Sequence, residues 1–273
     1  MKKLFLVCLL LIFSVYVTAD VKAAESKVVE RDLSSYFTGY TGTFVLYDEA
    51  DDTYIIYNNK QAEKRLPPCS TFKIYNSLVG LETGVIADEN FVLKWDGTEQ
   101  FIKSWEKDQS LQEAFTNSAV WYYKDLSYFV GQKNMQSYYE KLEYGNNDFS
   151  DDEIFSNPRG SAFWLDSSLQ ISAQEQVVLL TRLYNYDLPF SHRSVDIVKK
   201  IMVLQKNAAY TFSGKTGSNM EDGRWILGWF VGSVEKEGKR YYFAVNIEAM
   251  NAAIGSEAKN IAINILKDMG ILI

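Results

Sequence analysis

Runs of β-branched and aromatic residues stand near both ends of this chain, and helical periodicity fills the space between them. On the N-terminal side, Gly42-Thr43-Phe44-Val45-Leu46-Tyr47 and Thr53-Tyr54-Ile55-Ile56-Tyr57 flank the acidic stretch Asp48 to Asp52, the pattern of a β-hairpin. On the C-terminal side a run begins at Tyr210-Thr211-Phe212, continues from Trp225 to Val234, turns at Glu235-Lys236-Glu237-Gly238 and returns from Tyr241 to Ile247. Strands so far apart in the chain bury their apolar faces by meeting in one sheet, and the helical middle, residues 70 to 205, must cover it. The expected fold is therefore α+β: an antiparallel sheet of N- and C-terminal strands flanked by helices. A last helix is expected over Ser256 to Met269, with Glu257 in its first turn, Ile261, Ile265 and Leu266 on one face, and Gly270 beyond its end. No repeat, low-complexity tract or Pro/Gly linker divides the region.

The first residues follow different rules. Lys2 and Lys3 precede an apolar run from Leu4 to Val17 broken only by Ser14, followed by Val21, Lys22, Ala23 and Ala24. The run is shorter than the roughly 20 residues that cross a hydrocarbon core, so it reads as a secretory signal, residues 1–23, rather than a stable membrane anchor. The expected product is one domain, residues 24–273, secreted or extracytoplasmic, either released or held at the cell surface, as a monomer or weak homodimer. Cleavage removes Lys2, Lys3, Lys22 and Asp20 and takes the formal net charge from −7 to −9. An acidic protein of this kind has no basic excess for a phosphate backbone, so no nucleic-acid partner is expected. Cleavage also removes Cys8 and leaves Cys69 as the sole cysteine, so no internal disulfide can form. With one histidine, His192, both a histidine-rich metal site and a Ser-His-Asp triad are disfavoured, and no metal is expected.

Chemistry must then come from other residues. Ser70-Thr71-Phe72-Lys73 follows Pro67-Pro68-Cys69 and opens an expected helix, Thr71 to Leu81, which makes Ser70 and Lys73 neighbours one turn apart. A hydroxyl at a helix start is well placed for nucleophilic attack, and a lysine beside it can take its proton if an apolar pocket keeps the amine neutral. Ser-x-x-Lys recurs at Ser104/Lys107, Ser233/Lys236 and Ser256/Lys259, but these fall on a polar stretch, at a turn and at the start of the last helix. Ser70/Lys73 alone lies among Phe72, Ile74, Tyr75 and Leu78. A second element, Lys215-Thr216-Gly217-Ser218, combines a fixed cation, hydroxyls and a glycine that allows close approach to a strand; taken alone it is an ordinary turn. A third, Ser118-Ala119-Val120, would draw no notice in isolation.

In this chain order the three elements resemble the active-site serine penicillin-recognising enzymes, with a β-lactamase/transpeptidase-like fold. Ser118-Ala119-Val120 in place of Ser-x-Asn, Tyr144-Gly145-Asn146, and the stretch from Phe163-Trp164-Leu165 to Leu169-Gln170-Ile171-Ser172 narrow the resemblance to class D β-lactamases, the OXA type, and especially to their Gram-positive members. The resemblance covers nearly all of residues 24–273. It implies hydrolysis of the lactam amide of β-lactam antibiotics through an acyl-enzyme on Ser70, an oxyanion held by the backbone N–H groups of Ser70 and Ser218, and a proton relay through Ser118. It further implies that Lys73, carboxylated by carbon dioxide to N6-carboxylysine and held by the Trp164 indole, is the general base, with no other cofactor. Val120, Trp164, Leu165, Lys215, Thr216, Gly217 and Ser218 would contact or frame the substrate.

Each assignment has a plainer alternative: Trp164 as core packing, Tyr144-Gly145-Asn146 as a helix-ending turn, Cys69 as a small packing residue. The chain also departs from the family. Many class D enzymes carry an arginine near the start of the final helix, but no arginine follows Arg240 and the corresponding stretch reads Ser256-Glu257-Ala258-Lys259. Either Lys259 meets the substrate carboxylate as a point charge or Lys215, Thr216 and Ser218 suffice. Three other functions share these motifs or this fold: a β-lactam sensor or penicillin-binding domain that acylates but deacylates slowly, a D,D-peptidase, and a non-catalytic binding module.

Overall fold

The computed structural model describes residues 26–165 and 168–273. The signal expected at residues 1–23 lies outside the described residues, and among those described no helix is long and apolar enough to cross a membrane.

The chain opens with strand β1 (Lys27–Glu30), the hairpin β2 (Thr41–Asp48) and β3 (Thr53–Tyr57), and the short helix α1 (Asn59–Glu63). Helix α2 (Lys73–Glu82) follows, then a two-stranded ladder of β4 (Val92–Leu93) and β5 (Gln109–Ser110). Helices α3 (Leu111–Asn117), α4 (Val120–Val130), α5 (Gln132–Leu142), α6 (Ala173–Tyr184) and α7 (His192–Ile201) make up the middle. Strands β6 (Val203–Lys206), β7 (Tyr210–Glu221), β8 (Arg224–Lys236) and β9 (Lys239–Glu248) and helix α8 (Gly255–Asp268) complete it.

The main sheet runs β1-β3-β2-β9-β8-β7-β6, antiparallel except where β1 lies parallel to β3. The two ends of the chain meet between β2 and β9, with Phe44 opposite Val245 and Leu46 opposite Phe243, as the distribution of strand runs requires. Both faces are covered. Phe44, Leu46, Phe230, Phe243 and Val245 pack on one side with Ile261, Ile265 and Leu266 of α8, while Val45, Val231 and Ala244 pack on the other with the helical middle. That double burial explains why β8 is buried without interruption from Leu227 to Val234 instead of alternating.

The expected α+β architecture holds, with differences at its edges. β1 and β6 were not legible as strands, and β6 lies within residues that read as helical. Both are four-residue edge strands, almost wholly solvent-exposed, so neither carries the apolar pattern that marks a strand. The helix expected from Thr71 begins instead as a 3₁₀ turn, Cys69–Phe72, and becomes α-helical at Lys73. Ser256 does not cap the last helix: Ile254 occupies the cap position, and the Gly255 N–H donates to Ser218 Oγ of β7 at 2.9 Å.

Candidate active site

The segment before Ser70 is held from three sides. Trp229 Nε1 donates to the Pro67 carbonyl at 2.9 Å, Thr71 Oγ1 to the Pro68 carbonyl at 2.7 Å, and the Cys69 N–H to the Trp164 carbonyl at 2.8 Å. Cys69 adopts a left-handed conformation at φ 52°, which turns the chain so that the 3₁₀ turn presents Ser70, partly exposed, while Cys69, Thr71 and Phe72 are buried. Strand β7 crosses directly over this turn. A β-carbon at Gly217 would stand 3.0 Å from the Pro68 carbonyl oxygen and 3.2 Å from the Ser70 nitrogen, so the glycine of Lys-Thr-Gly is what lets the strand approach the Ser70 backbone.

Lys73, the first residue of α2, is wholly buried, and a 2.8 Å hydrogen bond joins its Nζ to Ser70 Oγ. Its Nζ lies 5.2 Å from the centre of the Tyr123 ring. Burial, and secondarily the charge of Lys215, hold this amine well below the ordinary lysine value, so it gives up its proton far more readily than an exposed lysine. Trp164 is also wholly buried, stacked on Phe72 with ring centres 4.6 Å apart, and its indole Nε1–H has no hydrogen-bond partner among the described residues. A buried donor left unpaired costs about 1–3 kcal/mol, so a tryptophan serving only as packing would gain by being phenylalanine.

Ser118 sits in the left-handed region at φ 59°, in the tight corner where α3 gives way to α4, pinned by the Ala119 N–H on the Ala114 carbonyl at 2.9 Å. Its Oγ accepts a hydrogen bond from Lys215 Nζ at 3.0 Å, and Lys215 also donates to the Thr216 carbonyl at 3.1 Å. Lys215 is 5 % exposed; burial first, and the charge of Lys259 second, lower its amine to about 7. The two lysines and two serines thus form two hydrogen-bonded pairs, Lys73–Ser70 and Lys215–Ser118, on facing walls.

Between the walls runs a cleft of about 530 Å³ lined by Ser70, Ser118, Val120, Leu165, Thr216, Gly217 and Ser218. Ten of the eleven residues singled out in the sequence therefore line this cleft or stand immediately behind it. The exception is Lys259, which lies outside it, with its Nζ 5.9 Å from the centre of the Phe230 ring. The cleft has a lip that the motifs did not reveal: Phe101, 73 % exposed, Ile102 and Trp105 on one side, Met220 and Trp225 on the other. The signal available was Phe101-Ile102, an apolar pair stranded between polar residues.

Tyr144-Gly145-Asn146 is a brace rather than a cleft element. Asn146 Oδ1 accepts from the Gln170 N–H at 2.9 Å and its Nδ2 donates to the Ser168 carbonyl at 2.7 Å, anchoring the segment downstream of Trp164. Gly145 has φ +52°, and a β-carbon there would lie 1.9 Å from the Gln170 carbonyl oxygen. Gly145→Ala is expected to lower unfolding stability by about 2–4 kcal/mol, because steric overlap and left-handed strain add. Urea denaturation would measure it, and a loss below about 0.5 kcal/mol would mean that the brace yields freely.

Comparison with known proteins agrees with this geometry. The family model described as penicillin binding protein transpeptidase domain matches residues 42–267. The chain is 36 % identical over 260 residues to the probable beta-lactamase YbxI of Bacillus subtilis, covering 95 % of this chain and 92 % of that protein. It superposes on the class D beta-lactamase BAT-2 with a TM-score of 0.82 at 36 % identity, covering 89 % and 97 % of the two chains. The C-terminal domain of the Bacillus licheniformis BlaR penicillin-receptor is equally similar, with a TM-score of 0.84 at 36 % identity over 92 % of this chain and 99 % of that one.

Proposed function

The chain belongs to the penicillin-binding transpeptidase family, with class D β-lactamases among its relatives, and from that premise we propose that it is itself a class D serine β-lactamase. The observation that carries this reading is the buried Lys73 amine, 2.8 Å from Ser70 Oγ, next in the chain to Phe72, on whose ring the Trp164 indole stacks with its donor unpaired among the described residues.

In this reading Ser70 Oγ attacks the lactam carbonyl and its proton passes to Lys73. The developing oxyanion lies against the N–H groups of Ser70 and Ser218, where β7 crosses the Ser70 turn. The leaving nitrogen takes a proton through Ser118, whose hydroxyl is kept acidic by the Lys215 contact. Lys215, Thr216 and Ser218 meet the substrate carboxylate, and Val120 and Leu165 face its body. Ser218 can do so while capping α8, because its oxygen accepts from Gly255 and its own O–H remains to donate.

The residues also suit carbon dioxide as a modifying group. Carbon dioxide reacts with the unprotonated amine, the form that the burial of Lys73 favours, and the unpaired Trp164 N–H is a donor that a carbamate on Lys73 would need. Carboxylated, Lys73 would be an anionic base in place of an amine. The protein is further proposed to be exported on removal of residues 1–23 and to act as a single domain, residues 24–273, monomeric or weakly dimeric.

The BlaR-type relative supports a second reading, a sensor that acylates and then persists. Intact-mass spectrometry of residues 24–273 after mixing with excess benzylpenicillin in bicarbonate separates the two. The expected result is an adduct of one penicillin that disappears as hydrolysed drug accumulates, with turnover falling when bicarbonate is stripped and recovering when it is restored. An adduct that lasts for hours would assign the chain to the sensors, and no adduct with no hydrolysis would remove Ser70 from the chemistry.

A further inference from the structure

Beside the cleft lies a second recess, of about 260 Å³, at the point where the outer edge of β7 becomes free. Pairing with β6 ends with Val203 opposite Ser213 and the Gly214 N–H on the Met202 carbonyl, so β7 has no strand neighbour on that side from Lys215 onward. Thr216 is the only residue that lines both the recess and the cleft. The recess presents two cations, Lys215 and Lys259, and among the described residues no acidic side chain lines it. Its other walls are largely apolar: Phe115, Leu204 and Phe230 face it, with the Lys215 Nζ 5.6 Å from the centre of the Phe115 ring.

Two ammonium groups facing one recess without an acid between them repel each other, in a protein whose formal net charge is −7. The contacts of Lys215 to Ser118 and the Thr216 carbonyl use two of its three protons and leave one for a ligand. The volume is far above the roughly 10–15 Å³ that one water needs, so the space suits more than a simple ion. We propose that this recess binds a small organic carboxylate, its charged end between Lys215 Nζ and Lys259 Nζ and its apolar body against Phe115, Leu204 and Phe230. Burial first, and the charge of Lys259 second, bring Lys215 to about 7, so the second cation of the recess adds to the penalty on its charged form. An anion bound here would keep Lys215 charged and so link occupancy of the recess to the Lys215–Ser118 pair.

The test is a ¹⁹F NMR titration of 4-fluorobenzoate, a readout independent of turnover, on the unmodified protein and on Lys259→Met, Leu204→Trp and Phe101→Ala. Melting curves establish that each variant is folded. Saturable binding to the unmodified protein is expected, weakened about tenfold or more by Lys259→Met, which removes one charged hydrogen bond, and by Leu204→Trp, which fills the space. Phe101→Ala, altering the cleft lip alone, should bind as the unmodified protein does. Absence of saturable binding, an unchanged affinity in Lys259→Met, or an equal loss in Phe101→Ala would each overturn the proposal, the last by placing the benzoate in the cleft.

Discussion

Lys73→Ala is expected to cut benzylpenicillin turnover by about 10³-fold or more while leaving the protein folded. The size follows from the site's economy of bases. Lys73 is the basic side chain hydrogen-bonded to the Ser70 hydroxyl, and the other nearby lysine, Lys215, is committed to Ser118. Removing Lys73 leaves no acceptor for the Ser70 proton in acylation or for the proton of the attacking water in deacylation. Stability should change far less than a buried deletion usually implies. Lys73 is wholly buried, so truncation forfeits packing, but it also removes an amine that burial and a like charge already penalise. Lys73→Arg should not restore turnover, because a guanidinium cannot be deprotonated and therefore cannot serve as a base. Steady-state hydrolysis and thermal melting of the same preparations decide the matter; turnover in Lys73→Ala within tenfold of the unmodified protein would take Lys73 out of the mechanism.

How much of this was readable in the sequence depends on where each residue's partners lie in the chain. The β2–β9 junction was readable because both strands are buried and carry dense β-branched and aromatic runs; β1 and β6 were not, because edge strands bury too little to be patterned. Ser70 and Lys73 were readable because a local turn sets their relation, although the turn proved to be 3₁₀ at Ser70. Ser118 and Lys215 were individually mute; their meaning arises when α3, α4 and β7 bring them to 3.0 Å, a contact across 97 positions of chain. Lys259 shows the opposite failure. It occupies roughly the right place in the chain for a carboxylate-binding residue, but Ala258, Ile261 and Ala262 dock α8 on the sheet, and the resulting rotation carries Lys259 toward Phe230 and away from the cleft. The lip residue Phe101 belongs to a loop, where periodicity carries no information, and Met220 lies at the irregular far end of β7, beyond the register shift at Asn219.

Trp164 offers the sharpest division between the two half-reactions. Trp164→Phe keeps an aromatic ring to stack on Phe72 but removes the indole N–H, a buried donor with no partner among the described residues. Attack by Ser70 on the lactam carbonyl needs a proton acceptor only once and is driven by ring strain in the substrate. Hydrolysis of the acyl-enzyme must activate water against a less reactive ester and depends more heavily on the base that Trp164 would hold. A charge-assisted hydrogen bond is worth about 1.5–3 kcal/mol, so its loss should slow deacylation by roughly 10- to 150-fold while acylation changes only a few-fold. Intact-mass spectra of Trp164→Phe should then show the penicillin adduct accumulating and persisting, with turnover partly recovered as bicarbonate is raised, because mass action offsets weaker retention of the carbamate. Trp164→Ala should give the same kinetic pattern with an added loss of stability of about 3–5 kcal/mol from the cavity beside Phe72 and Phe163. Stability loss without slower deacylation in either variant would reduce Trp164 to core packing and leave the unpaired indole without a catalytic reason. Slower deacylation in Trp164→Phe at unchanged stability would instead tie the indole N–H to the base.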